Sequence, residues 1–405
     1  MTQASSAGRR RLAIVVSHPI QHFVPLYRAL AATADIELRV FFASRIGLQS
    51  YYDPEMKTQI AWSMDMLSGY DHVFLPGADA ITTVDFRSIN SPGLAAALDA
   101  FSPDAVMIYG YAQANALRAI HWARRNRRNA MMISDSELRR PRTGLLGRIK
   151  AAMIPQIYAR IDNFLSVGDC NEAYYRHYGV PADRIFRSPF TIDEERYRAQ
   201  LTQKGAARAA LRRELELPDD AILALFVGKL SPRKRPADLL AAVTRLRDAG
   251  GPLVHAVFAG NGEEMAAMQA TATRDGAPAH FLGFVNVDRL PSIYAASDML
   301  VHPSEADPHP LICSEAACLG LPMLLSDRIG AEGPTDIARA GDNALIFPVA
   351  DIDALSARIG ELAGDAAKRA RMSARSLAIF DELDVQRSID GIRRAMIAGL
   401  RGRRG

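Results

Sequence analysis

Cysteine is scarce: Cys170, Cys313 and Cys318 are the only three in 405 residues. The count is odd and no pair has C-x-x-C spacing. That excludes a disulfide framework, argues against a cysteine-based zinc site, and fits a reducing compartment. No apolar run approaches about 18 residues, so no membrane span is expected. The first residues, MTQASSAGRRR, lack the apolar core of a signal segment. The apolar run that follows stops at Ser17-His18-Pro19 and reads as a strand, which leaves residues 1–8 as a loose tail. A strong excess of either charge is missing too, since the net charge is +4. Hydrophobic residues at 49% and charged residues at 23% are ordinary for a folded chain and exclude general disorder. The charge is unevenly placed. Between positions 118 and 160 there are eleven basic residues against two acids, Asp135 and Glu137. The run includes Arg124, Arg125, Arg127, Arg128, Arg139, Arg140, Arg142, Arg148 and Lys150, and Arg401, Arg403 and Arg404 follow near the end of the sequence. Such a surface suits an anionic lipid or a phosphorylated substrate, or is simply a solvated face. No nucleic-acid signature accompanies it, so no nucleic-acid partner is expected.

Short apolar runs at 12–16, 37–42, 105–109, 130–133 and 164–167 read as buried strands, with amphipathic stretches such as 24–32 and 112–124 between them. The pattern restarts with strands at 221–227, 254–259, 280–282, 299–302, 322–325 and 345–347, and with helices at 236–249, 263–273 and 290–296. Strand–helix alternation of this kind gives a parallel, doubly wound sheet. The expected class is therefore α/β, with two Rossmann-like doubly wound parallel-sheet domains facing a cleft. The polar stretch 193–218 marks the junction. The domains are expected at 1–195 and 196–384, with a helix and basic tail at 385–405. Strand carboxyl ends from both sheets would meet at the cleft, where loop amides and helix N-termini converge.

Three segments carry chemistry. Phe226-Val227-Gly228-Lys229-Leu230-Ser231-Pro232-Arg233-Lys234-Arg235-Pro236 follows a strand and precedes a helix. Two cations, Lys229 and Lys234, beside the small Gly228 make a cradle for a diphosphate. In Val257-Phe258-Ala259-Gly260-Asn261-Gly262 the glycines read as tight turns after a strand. A dinucleotide fingerprint would need glycine at the position of Met265. Finally, 302–327 reads HPSEADPHPLICSEAACLGLPMLLSD. Asp307 and Glu315 stand within it with seven residues between them. A carboxylate such as Glu315 can accept from the two neighbouring hydroxyls of a ribose.

These segments resemble the donor-site signatures of the family 4 glycosyltransferases, which have the GT-B fold. The resemblance implies a donor-binding second domain. Asp307 would bond the donor sugar and Glu315 the ribose, while Lys229 and Lys234 would neutralise the departing diphosphate, making Lys229, Lys234 and Asp307 the catalytic set. Gly228, Gly260, Gly262, Phe284, Ser304, Pro310 and Leu311 would line the donor site, with Gly283 and Phe284 at the nucleobase. The sequence departs from the family in having Asp307 for Glu, Lys229 for Arg and His309-Pro310 for Phe-Gly. Glu305 is an alternative first acid at the wrong spacing. In the first domain Ser17-His18-Pro19-Ile20-Gln21 is similar to a subset of the family. It implies that His18, Gln21 and His22 line the acceptor side, with Asp135 after a later strand. The family's histidine after the fourth strand is absent from Tyr109-Gly110-Tyr111. Asp298 reads as an anchor for a turn, and the segments 163–178 and 188–193 as positioning elements. The resemblance further implies retention of configuration, no metal and no cofactor. It implies a UDP- or GDP-sugar donor, a glycan or polyprenol-linked glycan acceptor, and a cytoplasmic protein in polysaccharide synthesis. The basic segment suggests an anionic membrane face. The alternatives are another enzyme of this fold, such as a nucleotide-sugar 2-epimerase, or a non-catalytic nucleotide-sugar-binding protein.

Overall fold

The computed structural model describes residues 9–139 and 144–401. Arg140, Arg142, Arg403, Arg404 and the expected tail at 1–8 lie outside them.

The first sheet is built from β1 (Arg10–Val16), β2 (Ile36–Phe42), β5 (His72–Phe74), β6 (Ala105–Tyr109), β7 (Asn129–Ser134), β8 (Asn163–Ser166) and β9 (Ile185–Arg187). Its strand order is β5-β2-β1-β6-β7-β8-β9, all parallel. A short antiparallel pair, β3 (Tyr51–Asp53) and β4 (Thr58–Ile60), stands outside it. The second sheet contains β10 (Ile222–Val227), β11 (Val254–Ala259), β12 (Ala279–Gly283), β13 (Met299–His302), β14 (Met323–Ser326) and β15 (Ala344–Phe347). Their order is β12-β11-β10-β13-β14-β15, again all parallel. Both sheets are buried on two faces. Leu12, Ile14 and Val40 point to one core of the first domain, and Ala13, Val15 and Phe41 to the other. This two-sided burial explains why the strands are continuous apolar runs rather than alternating ones.

The polar stretch expected as the junction is largely helical and packs on the second domain. Helix Glu194–Arg198 is capped by Asp193, whose carboxylate accepts from the Arg196 amide. Helix Lys204–Glu214 is tied down by Arg212, almost fully buried, which donates to Asp298 at 3.0 Å. Asp298 also accepts from Arg208 and from the Leu223 amide, so it anchors the start of the second sheet. The last helix, Val385–Arg401, returns to the first domain. Its Ile389, Ile392, Ala395 and Met396 complete the core that contains Leu12, Ile14 and Leu165. Asn129 and Asn163, both buried, donate to the Ala395 carbonyl at 2.9 and 3.0 Å.

The domains also meet through a loop after β14. Arg139 does not belong to an open basic face: its guanidinium donates to the Ile329 carbonyl and the Glu332 carboxylate, each at 2.6 Å. Asp336 accepts from the Asp169 amide at 2.7 Å and pairs with His309 at 3.1 Å. Asp336 and His309 are both buried. Arg128 likewise turns inward, to Asp104 and Ser102.

Candidate functional site

Parallel strands deliver their carboxyl ends to one edge of each sheet, and the motif residues sit at those ends. After β10 the chain turns through Gly228, whose φ of +133° is open to glycine and strained for other residues. Lys229 follows, and a short turn Pro232–Lys234 brings Lys234 back to the cleft. The Lys234 ammonium pairs with the Asp307 carboxylate on the loop after β13. The same Asp307 oxygen meets Nε2 of His302, a fully buried side chain, at 2.9 Å. Burial works against the Asp307 charge. His302 and Lys234 outweigh it and hold the carboxyl well below the usual carboxylate range. Asp307 is thus a counterion within the cradle in this structure, a partnership that motif spacing did not reveal.

The loop that carries Asp307 is stitched to the lysine turn. Ser304 was expected at the donor, but it is fully buried and its hydroxyl bonds backbone, the Arg233 and Ala306 carbonyls at 3.1 and 3.2 Å. The Glu305 amide donates to the Arg233 carbonyl at 2.9 Å, and the Glu305 carboxylate pairs with Arg235 at 3.3 Å. Glu305 therefore points away from the first-acid role.

Gly260 and Gly262 need correction. Neither has a positive φ, so neither is required by a turn. A Cβ on Gly260 would stand 1.8 Å from the Gly228 carbonyl oxygen, and one on Gly262 2.3 Å from that of Leu230. The glycines let the loop after β11 press against the backbone that carries Lys229. Gly260→Ala must push that backbone aside, and is expected to cost about 3 kcal/mol or more of stability. A melting temperature equal to the wild type would show that the loops do not touch.

Pro310 precedes helix Leu311–Cys318 in extended backbone, and Glu315 lies within that helix rather than at its start. The Glu315 carboxylate accepts from the Tyr294 hydroxyl at 2.6 Å, with the Tyr197 hydroxyl as a second partner. Burial raises its pKa above the ordinary value. One small space is lined by Gln21, His22, Asp193, Arg196, Tyr197 and Glu315, so residues expected on opposite sides of the cleft share it. The buried Cys313 thiol lies within electrostatic reach of Asp307, Lys234 and Glu315, so the three gather about helix Leu311–Cys318.

On the other side of the cleft, a cavity of about 750 Å³ is lined by His22, Phe23, Tyr109, Asp135, Ile149 and Phe190, among others. Phe23 stacks on Tyr109 with centroids 4.1 Å apart. Tyr109 takes up part of the region where the family's histidine is missing. Burial lowers the His22 pKa to about 4, with His18 adding to it, and burial lowers His18 to about 4 as well. Both rings are neutral near pH 7. Asp135 is pushed up by burial and senses both His309 and Asp307, which puts the cavity next to the lysine cradle. A second cavity of about 760 Å³ lies between helices Pro236–Asp248 and Met265–Asp275. It contains none of the motif residues and is set aside.

Tyr197, Tyr294, His302, Trp62 and the Asp53–Glu55 carboxylates were missed by sequence reasoning. For Asp53 the Asp-Pro turn signal was legible, but nothing in it indicated a contact with Lys229. Lys229 donates to Asp53 at 3.1 Å and Glu55 at 2.5 Å. Burial opposes the lysine charge, and the two carboxylates overcome it and raise its pKa.

Residues 207–377 match the family model described as glycosyl transferases group 1. D-inositol 3-phosphate glycosyltransferase of Xylanimonas cellulosilytica is 28% identical over 205 residues, 50% of this chain and 48% of that protein. The protein of the same name from Streptomyces griseus is 35% identical over 158 residues, 36% of this chain and 33% of its own length. The chain thus spans about half the length, or less, of these curated relatives. Among solved structures, Anabaena HepE in complex with UDP and glucose superposes with a TM-score of 0.71 at 15% identity, over 96% of this chain and 100% of that one. A glycosyltransferase from Rickettsia africae gives 0.73 at 10% identity, over 97% and 99%. The second domain thus carries the match to the glycosyl transferases group 1 model, and the two parallel-sheet domains have the fold of the GT-B glycosyltransferases.

Proposed function

We propose that this chain moves a sugar from a nucleoside-diphosphate sugar, held by the second domain, to an acceptor hydroxyl in the cavity of the first. The observation that carries the reading is the cradle of Lys229 and Lys234 on the loop after β10, beside Asp307 and Glu315. Glu315 binds the ribose, Asp307 orients the sugar and fixes Lys234, and the two lysines neutralise the departing diphosphate without a metal. The bond between the anomeric carbon and the phosphate oxygen breaks as the acceptor oxygen bonds on the same face. The acceptor proton passes to the leaving phosphate oxygen, so configuration is retained. The neutral His22 and the Asp135 carboxyl lie where an acceptor would enter. The HepE structure with UDP and glucose supports the choice of a UDP-sugar as the first donor to test. The test is turnover of UDP- and GDP-sugars with EDTA present, followed by NMR of the product. Inverted anomeric configuration, or strict dependence on added divalent metal, overturns this mechanism. An epimer formed without acceptor would turn the reading toward epimerisation.

The acceptor side also bears on location. Among the described residues no helix is long and apolar enough to cross a membrane. Yet helix Gly144–Tyr158 exposes Leu145 (73%), Ile149 (54%) and Met153 (45%), spaced four residues apart on one stripe, with Arg148 beside them. Ile149 and Met153 continue into the acceptor cavity. We read this stripe as the seat of a lipid-linked glycan acceptor at the cytoplasmic face of an anionic membrane. Leu145→Asp with Ile149→Asp is expected to weaken binding to phosphatidylglycerol vesicles at low salt by about 10-fold or more. Equal binding in a vesicle co-sedimentation assay would remove the membrane from the proposal.

A further inference from the structure

The segment 51–64 leaves the first domain and touches the second at three points. β3 and β4 pair with Tyr51 opposite Ile60 and Asp53 opposite Thr58. At the tip, Asp53 is set by the turn: its Oδ1 accepts from the Glu55 and Met56 amides, both at 2.9 Å. Its other oxygen faces Lys229 at 3.1 Å, and the Glu55 carboxylate meets the same ammonium at 2.5 Å. Beyond the hairpin, the Ala61 carbonyl accepts from the Asn286 amide group at 2.7 Å. The Trp62 ring then stands edge-on to Phe284, with centroids 6.2 Å apart. These three contacts fall on the loop assigned to the diphosphate and on the loop assigned to the nucleobase.

The two lysines of the cradle differ in one respect. Lys234 has its counterion, Asp307, on its own domain. The counterions of Lys229 come from the opposite domain. Glu55 is 66% exposed on its side chain, so the contact is not forced by packing. Two carboxylates on one ammonium present two negative charges on acceptor oxygens, as the diphosphate of a nucleotide sugar does. If they stayed in place, a bound diphosphate would lie against two like charges, each pair costing free energy at close range.

We propose that the β3–β4 hairpin is an internal competitor for the donor: Asp53 and Glu55 hold Lys229, and the diphosphate of the donor displaces them. The idea rests on the reading of Lys229 as a diphosphate ligand. It makes arrival of the donor the event that releases this edge of the first domain from the second, so the hairpin gates the cleft.

The test is calorimetric binding of UDP, GDP and ADP to the full chain, to Glu55→Gln and to Asp53→Asn/Glu55→Gln. Glu55→Gln keeps the backbone amide that the turn uses and changes an exposed side chain, so it is the variant safest for folding. The dissociation constant of the nucleotide that binds is expected to fall about 3-fold in Glu55→Gln and about 10-fold in the double variant. Hydrogen exchange at amides 51–60 is expected to quicken when that nucleotide is added to the wild type. Measurable affinities that are equal in all three proteins, or weaker in the variants, overturn the competitor and leave the diphosphate reading standing. Slower exchange of the hairpin on nucleotide addition overturns the displacement. Failure of all three nucleotides to bind any of the three proteins overturns the competitor together with the diphosphate reading on which it rests.

Discussion

Lys234→Ala is expected to lower kcat for donor turnover by about 100- to 1000-fold while the protein stays folded. Charge develops on the diphosphate as the sugar bond breaks, and a cation fixed beside it stabilises that transition state more than the bound donor. Lys234 is held for this purpose by Asp307, and Asp307 by His302. Removing the lysine has a second effect. The Asp307 carboxylate, kept ionised far below its usual range, would then face the diphosphate with only a neutral imidazole beside it. Loss of attraction and gain of repulsion act in the same direction, so the loss should exceed that from Lys229→Ala, whose carboxylate partners sit on the opposite domain. Steady-state kinetics with the nucleotide sugar that the protein accepts would measure it, with circular dichroism as the check on folding. A fall of less than about 10-fold would mean that the leaving group departs elsewhere.

Glu315→Ala is expected to act on binding instead, raising the KM for the donor by about 100-fold with a smaller change in kcat. Hydrogen bonds to a charged group are each worth about 1.5–3 kcal/mol, and two ribose hydroxyls are at stake. The carboxylate is positioned in advance by Tyr294 and Tyr197, both buried, so little ordering remains for the moment of binding. The same contacts make the substitution costly to the fold. Two buried phenol groups lose their acceptor, at about 1–3 kcal/mol each. Glu315→Gln separates the effects, because an amide oxygen can still accept from one tyrosine. It should recover most of the melting temperature and only part of the donor affinity. Calorimetry of nucleotide binding alongside thermal melting would decide. If Glu315→Ala binds nucleotide as the wild type does, the carboxylate is a core group and the ribose lies elsewhere.

The main strands of both sheets were legible because parallel strands buried on two faces must be apolar throughout, as in Leu223-Ala224-Leu225-Phe226. The lysine loop and the Asp307–Glu315 spacing were legible for a different reason: their chemistry needs particular residue types close together in sequence. What could not be read depended on contacts between distant residues. β3, β4, β5 and β9 are three residues each, too short for a periodic signal. Asp53 and Lys229 are 176 positions apart, and neither carries a mark of the other. The glycines at 260 and 262 were recognised as necessary but for the wrong cause, since close approach of a second backbone leaves the same residue in the sequence as a turn does. Arg139 looked like one more base in a charged run. Only the fold shows that its guanidinium is used up on carbonyls of the other domain.

The return of helix Val385–Arg401 to the first domain has a consequence for synthesis. Most two-domain chains finish their first domain while the second is still being made. Here the face of the first sheet formed by Leu12, Ile14 and Leu165 is covered in part by Ile389, Ile392 and Met396. Those residues leave the ribosome after the strands of the second sheet. The first domain is therefore completed after the second sheet has been translated, and its open apolar face must persist until then.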